Sequence, residues 1–296
     1  MNMISNSVTA IIFLACLFFF QNCGESTGPH KPTKQDTKQK QDTAAKSNSA
    51  QQTFDAATIL GRTQIPILCY HHIEDILPRN SELFVTTANF KAQMKMLADS
   101  GFHTISPDQL YDYLTKGAQL PGKPFMITYD DNDEDGFSIA KTEMDKYGFK
   151  GVYFIMTITI GKPNYMSKEQ LKELSDEGHT IATHTWDHHR VDRYKTVDTI
   201  TSGAKKKIVN DYDAQLTDPK KTLEQIIGKP VEYFAYPYGL WKPEAIPEIR
   251  SRGIKLAFEL STKRDNAEPL YTVRRMIVAP GWTPQGVLKV MKNTFK

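Results

Sequence analysis

Three short stretches hold the side chains that could do chemistry. "TYDDNDEDG" (128–136) sets Asp130 and Asp131 side by side and crowds five carboxylates into positions 130–135. "HTWDHH" (184–189) places His184 and His188 four apart, with His189 following. "YHH" (70–72) adds His71 and His72. Two imidazoles at i and i+4 can reach one ion from a helical turn or a tight loop. A carboxylate from another strand would make a third ligand and leave a coordination position open, as a hydrolytic metal centre requires. Adjacent residues at a strand end leave on different sides. One aspartate of the pair can therefore hold an ion while its neighbour acts as base. The remaining acids, Asp133, Glu134 and Asp135, read as solvated loop charges. The stretch lacks the spacing and closing Glu of an EF-hand calcium loop.

These residues need elements to position them. "PILCY" (66–70), "PFMITY" (124–129), "GVYFIM" (151–156), "TIATHT" (180–185), "EYFAYPY" (232–238), "KLAFEL" (255–260) and "VRRMIV" (273–278) read as buried strands. Between them lie helical patterns. "NFKAQMKMLADSG" (89–101) puts Phe90, Met94 and Leu97 on one face. "PDQLYDYLTKG" has Pro107 in its first turn. Ser167 and Gln170 form a capping-box signature at "SKEQLKELSDEG". A polar region from about 197 to 228 reads as one long helical stretch. Continuous apolar strands alternating with helices predict a parallel sheet covered on both faces. About seven such units fit a closed or nearly closed, distorted (β/α) barrel, with an open doubly wound sheet as the alternative. Both put function at the carboxyl ends of strands, where His71, Asp130, Asp131, His184 and Tyr238 fall.

The chain has 296 residues and a formal net charge of +3. No basic cluster with interleaved aromatics stands out, so nucleic acid is not an expected partner. Three cysteines, two of them in the first 23 residues, do not make a disulfide framework. Val8 to Phe20 has the length of a signal h-region. Cys23 follows it, and residues 24 to about 53 are almost wholly polar. The expected organisation is a signal peptide over 1–22, then a lipidated Cys23 and flexible tether over 23–53, and a catalytic domain over 54–296. The protein is then exported and bound to a membrane through its lipid.

In chain order, "TYDD" (128–131), "HTWDH" (184–188) and "FAYPYG" (234–239) resemble the successive motifs of the polysaccharide deacetylase family, carbohydrate esterase family 4. "PILCYHHIED" (66–75) resembles the branch acting on poly-N-acetylglucosamine exopolysaccharides. The resemblance spans roughly residues 65–280 and implies a metal-dependent hydrolase that removes N-acetyl groups from such a polysaccharide. It casts Asp130 as base. Asp131, His184 and His188 become ligands of zinc (or cobalt or nickel), with His189 the alternative second imidazole. It places Pro237, Tyr238 and Trp241 at the substrate groove, with the Tyr238 N–H facing the oxyanion. Trp186, Tyr236 and Trp282 are further groove candidates. The chain departs from the pattern at Asn132, where Gly is usual, and at Ala235, where many members carry Arg. Arg274 or Arg275 is expected to orient the base instead. The late Leu-x-x-His motif is absent, so the general acid falls to His71. The resemblance also admits a peptidoglycan or chitin-oligomer deacetylase, an acetyl-xylan esterase, or a glycan-binding lipoprotein with a decayed site.

Overall fold

The computed structural model describes residues 55–76, 82–195, 198–202, 205–261 and 263–294, with 198–202 and 205–209 described by backbone alone. The expectations for residues 1–53, Cys23 included, lie outside these residues. No helix among the described residues is long and apolar enough to cross a membrane.

In chain order the strands are β1 (Ile67–Tyr70), β2 (His72–Glu74), β3 (Phe84–Thr86), β4 (His103–Thr104), β5 (Pro124–Tyr129), β6 (Gly151–Ile155), β7 (Thr180–Thr183), β8 (Asp198–Ser202), β9 (Lys205–Val209), β10 (Tyr233–Ala235), β11 (Leu256–Glu259), β12 (Val273–Arg274) and β13 (Met276–Ile277). The main sheet runs β12-β11-β10-β7-β6-β5-β1-β13, and all of its pairings are parallel. Its two edges, β12 and β13, are separated in sequence by Arg275 alone. One extended segment thus lies against β11 at one end of the sheet and against β1 at the other. That seam brings the sheet nearly to a closed barrel.

Strand side chains alternate between two faces. Ile67, Met126, Val152, Phe154 and Phe258 belong to one buried cluster. Leu68, Phe125, Ile127 and Tyr153 belong to the other. After the short helix α1 (Ala56–Leu60), helix α2 (Thr87–Asp99) adds Phe90, Met94 and Leu97 to the second, in agreement with the helical face read from the sequence. A later helix, Pro107–Lys116, starts on a Ser106 capping box and ends on Gly117 in the left-handed region. Helix Lys168–Asp176 starts on the expected Ser167–Gln170 box.

One element differs in kind from expectation. The region 197–228 is not one helix. It begins as the antiparallel hairpin β8–β9, then passes through a π-helical turn (Asp213–Thr217) into an α-helix (Asp218–Ile227). "DTITS" and "KKKIV" supply β-branched residues, and Gly203 lies between the strands, so local preference favours a hairpin there.

Candidate active site

The expected residues meet at the carboxyl ends of β1, β5, β7 and β10. Asp131 Oδ1 lies 3.5 Å from His184 Nε2 and 3.7 Å from His188 Nε2. The three candidate ligand atoms fall within 4.8 Å of one another. His184 is fixed from behind: its Nδ1 sits 2.8 Å from the Ala235 carbonyl. A carbonyl only accepts, so Nδ1 carries the proton and the Nε2 lone pair faces Asp131. His188 is held through its backbone N–H, which donates to Thr185 Oγ1 (2.9 Å). His189 is exposed and stacks on Tyr194 instead (ring centroids 5.7 Å apart).

The backbone is forced to make this arrangement. Seven non-glycine residues among those described have positive φ, and five are at this site: Asp131, Asn132, Thr185, His188 and Tyr238. Each such position costs roughly 1–3 kcal/mol and survives only where neighbours dictate it. Thr185 and Trp186 offer their carbonyls to the N–H groups of Thr157 and Ile158. The Asn132 carbonyl accepts from Met166 N–H, and its side-chain amide donates to Thr159 Oγ1 (3.0 Å). Asn is among the residues that enter the left-handed region most readily, so it can stand where glycine is usual.

Asp130 is held separately. Arg275 meets it with both ends of its fork, Nη1 to Oδ1 at 2.5 Å and Nη2 to Oδ2 at 2.8 Å. Both side chains are buried. Burial alone would raise the carboxyl, but the guanidinium overrides it and holds Asp130 well below the usual carboxylate range. The other candidate, Arg274, reaches Ser261 O and Gln64 Oε1 and does not meet Asp130. The two are neighbours on a pleated segment, so only one can enter the barrel. His71 Nε2 stands 3.9 Å from Asp130 Oδ2, on a ring that is 7% exposed. Burial lowers its pKa, against the opposing pull of Asp130 and Asp131.

Asp131 has the character of a metal ligand. Its Oδ1 is buried and makes no hydrogen bond among the described residues. Burial pushes its pKa up to about 6, the mark of a carboxylate without a compensating charge. One carboxylate and two imidazoles with an open position suit zinc or a similar ion. Two other clusters of possible ligands do not suit one. In Cys69–His71–Asp130 the carboxylate is taken by Arg275, and burial pushes the thiol pKa up. In Asp145–Glu177–His179, Gly151 N–H donates to His179 Nδ1 (2.9 Å), which leaves the proton on Nε2. Its carboxylates already pair with Lys141 and Lys150.

The groove candidates separate. Tyr238 is 60% exposed, its ring 4.3 Å (centroid to centroid) from that of His188. It follows Pro237 at the start of a 3-10 turn, where the first N–H groups have no partner within the turn. Gly239 turns the chain at φ 67°, where an added Cβ would lie 2.7 Å from Leu260 Cβ. Trp186 is 45% exposed between the two histidines. Trp241 is half-buried, and its indole N–H donates to Glu259 (2.7 Å). Tyr236 is fully buried with its hydroxyl on Tyr271 O, so it lines no groove. Trp282 packs in the outer cluster, on the α2 side of the sheet.

The acids after Asp131 are not solvated charges. Asp133, Glu134 and Asp135 are all half-buried. Asp133 pairs with His72 (3.1 Å), whose ring stacks on Phe84. Glu134 accepts from Gln170, and Asp135 accepts the Ile73 N–H (2.7 Å). They tie the loop to β2 and to helix Lys168–Asp176. Sequence reasoning missed this, since the partners are distant in the chain.

A nearly closed parallel barrel with paired carboxylates and converging imidazoles at its strand ends defines a β/α-barrel hydrolase scaffold. Residues 117–257 match the family described as polysaccharide deacetylase. The match over those residues agrees with the resemblance read from the motifs. The chain is 29% identical over 203 residues to the poly-beta-1,6-N-acetyl-D-glucosamine N-deacetylase of Staphylococcus aureus (strain MRSA252), covering 65% of this chain and 67% of that one. Among solved structures it resembles IcaB from Ammonifex degensii (TM-score 0.61, 26% identity, 79% of this chain and 98% of that one). It shares its fold with the Streptococcus pyogenes deacetylase PplD (TM-score 0.69, 23% identity, 77% and 98%).

Proposed function

We propose that this protein removes N-acetyl groups from a β-linked poly-N-acetylglucosamine exopolysaccharide and releases acetate. The observation that carries this reading is the division of labour between adjacent aspartates. Asp131 faces both imidazoles, while Asp130, whose Oδ2 is also 3.7 Å from His184 Nε2, has both its oxygens gripped by the Arg275 fork. The relative named for poly-beta-1,6-N-acetyl-D-glucosamine supports the choice of substrate.

Asp131, His184 and His188 would hold a divalent cation, zinc on ligand chemistry, which would supply Lewis-acid polarisation of the amide carbonyl and lower the pKa of water. Asp130, kept ionised by Arg275, is the base that takes a proton from the attacking water. The Tyr238 N–H, on the turn beside His188, is the candidate donor to the oxyanion, and one such donor is worth about 3 kcal/mol. His71, 3.9 Å from Asp130, is placed to return a proton to the leaving sugar amine. The exposed rings of Trp186 and Tyr238 flank the site as sugar contacts. The same reading takes the protein to be exported and anchored through Cys23, on the sequence of residues 1–53.

Acetate release from poly-β-1,6-N-acetylglucosamine, peptidoglycan fragments and acetyl-xylan, with metal content measured in parallel, tests the proposal. The first substrate should be preferred, and Asp130→Asn should retain metal while losing at least about a hundredfold in turnover. Preference for peptidoglycan or xylan would change the substrate. Full activity in Asp130→Asn would remove the base.

A further inference from the structure

The loop that joins the two imidazoles is held from two sides. On one, the Thr185 and Trp186 carbonyls accept the backbone N–H groups of Thr157 (3.2 Å) and Ile158 (2.9 Å). On the other, the Trp186 N–H donates to Gln215 Oε1 at 3.2 Å. Among the described residues, Gln215 is the one side chain from outside the loop that hydrogen-bonds its backbone between His184 and His188. The loop needs outside contacts of this kind. Thr185 and His188, on either side of Trp186, both have positive φ (74° and 65°), a conformation that persists only where neighbours dictate it.

Gln215 is buried and sits in the π-helical turn Asp213–Thr217, ahead of helix Asp218–Ile227. A π turn carries one residue more than an α-helical turn, which rotates what precedes it by about 100° relative to the helix behind. Such turns are frequent at functional sites. Gln215 is two residues from both Asp213 and Thr217, so it leaves the turn on the opposite side from them. Arg252 holds those two: Nη2 donates to Asp213 Oδ1 at 2.8 Å and Nε to Thr217 Oγ1 at 3.0 Å. Its guanidinium also lies 5.4 Å over the Tyr212 ring. The turn is braced on one side by Arg252 and presents an amide oxygen to Trp186 on the other. An apolar side chain at 215 would leave the Trp186 N–H without that acceptor.

We propose that Gln215 is a positioning residue for the metal ligands, fixing the loop between His184 and His188 through the Trp186 N–H. The inference rests on the reading of Asp131, His184 and His188 as ligands of a divalent cation. It makes the π turn a support of that centre, with Arg252 holding the turn in place.

The test is zinc affinity, measured on the full chain by competition with a chromophoric chelator, with melting of the metal-free proteins recorded alongside. Gln215→Leu removes the acceptor and should weaken zinc binding by about tenfold, the usual scale for a group that supports a metal ligand. Gln215→Glu keeps an acceptor oxygen at the same reach and should stay within about threefold of wild type. Gln215→Ala carries the same expectation as Gln215→Leu and replaces it if the bulkier side chain fails to fold. Wild-type affinity in a folded variant that lacks the acceptor overturns the role. An equal loss in Gln215→Glu also overturns it, since the acceptor was kept. Wild-type protein that binds no zinc removes the metal reading itself, and with it this inference, whereas binding that the variants share with wild type removes only the part given to Gln215.

Discussion

Arg275 reaches Asp130 from the seam of the barrel. It is the residue between β12 and β13, and its guanidinium lies 4.9 Å over the Phe154 ring while gripping both carboxylate oxygens. Its Nη1 also donates to Thr128 Oγ1. The segment that brings the two sheet edges together therefore also supplies the side chain that orients the proposed base. Arg275→Ala leaves a carboxylate buried without a partner, which costs about 3–5 kcal/mol. Melting should fall by roughly 10 °C for a domain of this size. Arg275→Lys keeps a charge but loses the fork, so it should recover stability in part and activity less. Pairing Arg275→Met with Asp130→Leu should restore melting and not turnover. A single Arg275→Ala variant with unaltered melting and acetate release would contradict the role.

The imidazole assignment can be separated by metal retention. His188 lies 3.7 Å from Asp131, whereas His189 is exposed against Tyr194 and its carbonyl accepts that tyrosine's hydroxyl. After dialysis with a trace of chelator, His188→Ala should lose its metal, and His189→Ala should hold as much as wild type. The reverse pattern would move the ligand one residue along the loop.

Away from the site, His179 makes a measurable pH dependence. Its ring accepts the Gly151 N–H, so the neutral form is the one that fits. Burial, with a further push from Lys150, lowers its pKa from 6.5 to about 4. The unfolded chain then binds a proton that the folded chain refuses. The stability His179 contributes is complete above pH 6.5 and is lost as pH falls toward 4. The shift corresponds to about 3 kcal/mol. His179→Gln lacks this titration. Melting curves at pH 7.5, 6 and 4.5 should show the wild-type advantage over the variant shrinking steadily with acid. A constant difference across that range would show that His179 does not titrate in this way.

What could be read from the chain follows the range of the forces involved. Pro107 and Ser167 announce helices because first-turn and capping signals act within four residues. Asp130, Asp131 and His184 stand at strand ends because apolar runs stop there. Choosing Arg275 over Arg274 needs the register of the seam, which no local pattern specifies. Separating buried Tyr236 from exposed Tyr238 needs the turn at Pro237–Gly239. Asp133, Glu134 and Asp135 read as solvent-facing because their partners His72, Gln170 and Ile73 lie some 36 to 62 residues away. The β8–β9 hairpin was obscured by the polar, helix-compatible residues that surround it.

Gly239 tests whether the turn itself is needed. At φ 67° a side chain is strained by about 1–2 kcal/mol before any contact is made. Here the contact is also severe, since a Cβ would meet Leu260 Cβ at 2.7 Å and Leu260 N at 2.8 Å. Neither atom is the tip of a flexible chain, so backbone must move. The adjoining residue is Tyr238, whose N–H and ring both serve the proposed site, while Asp131, His184 and His188 belong to other loops. Gly239→Ala should therefore retain metal and lose turnover by about tenfold to a hundredfold, as small misplacements do. Metal content and acetate release on one preparation decide it. If both fall together the turn supports the metal centre itself, and if neither falls the Tyr238 N–H is not the oxyanion donor.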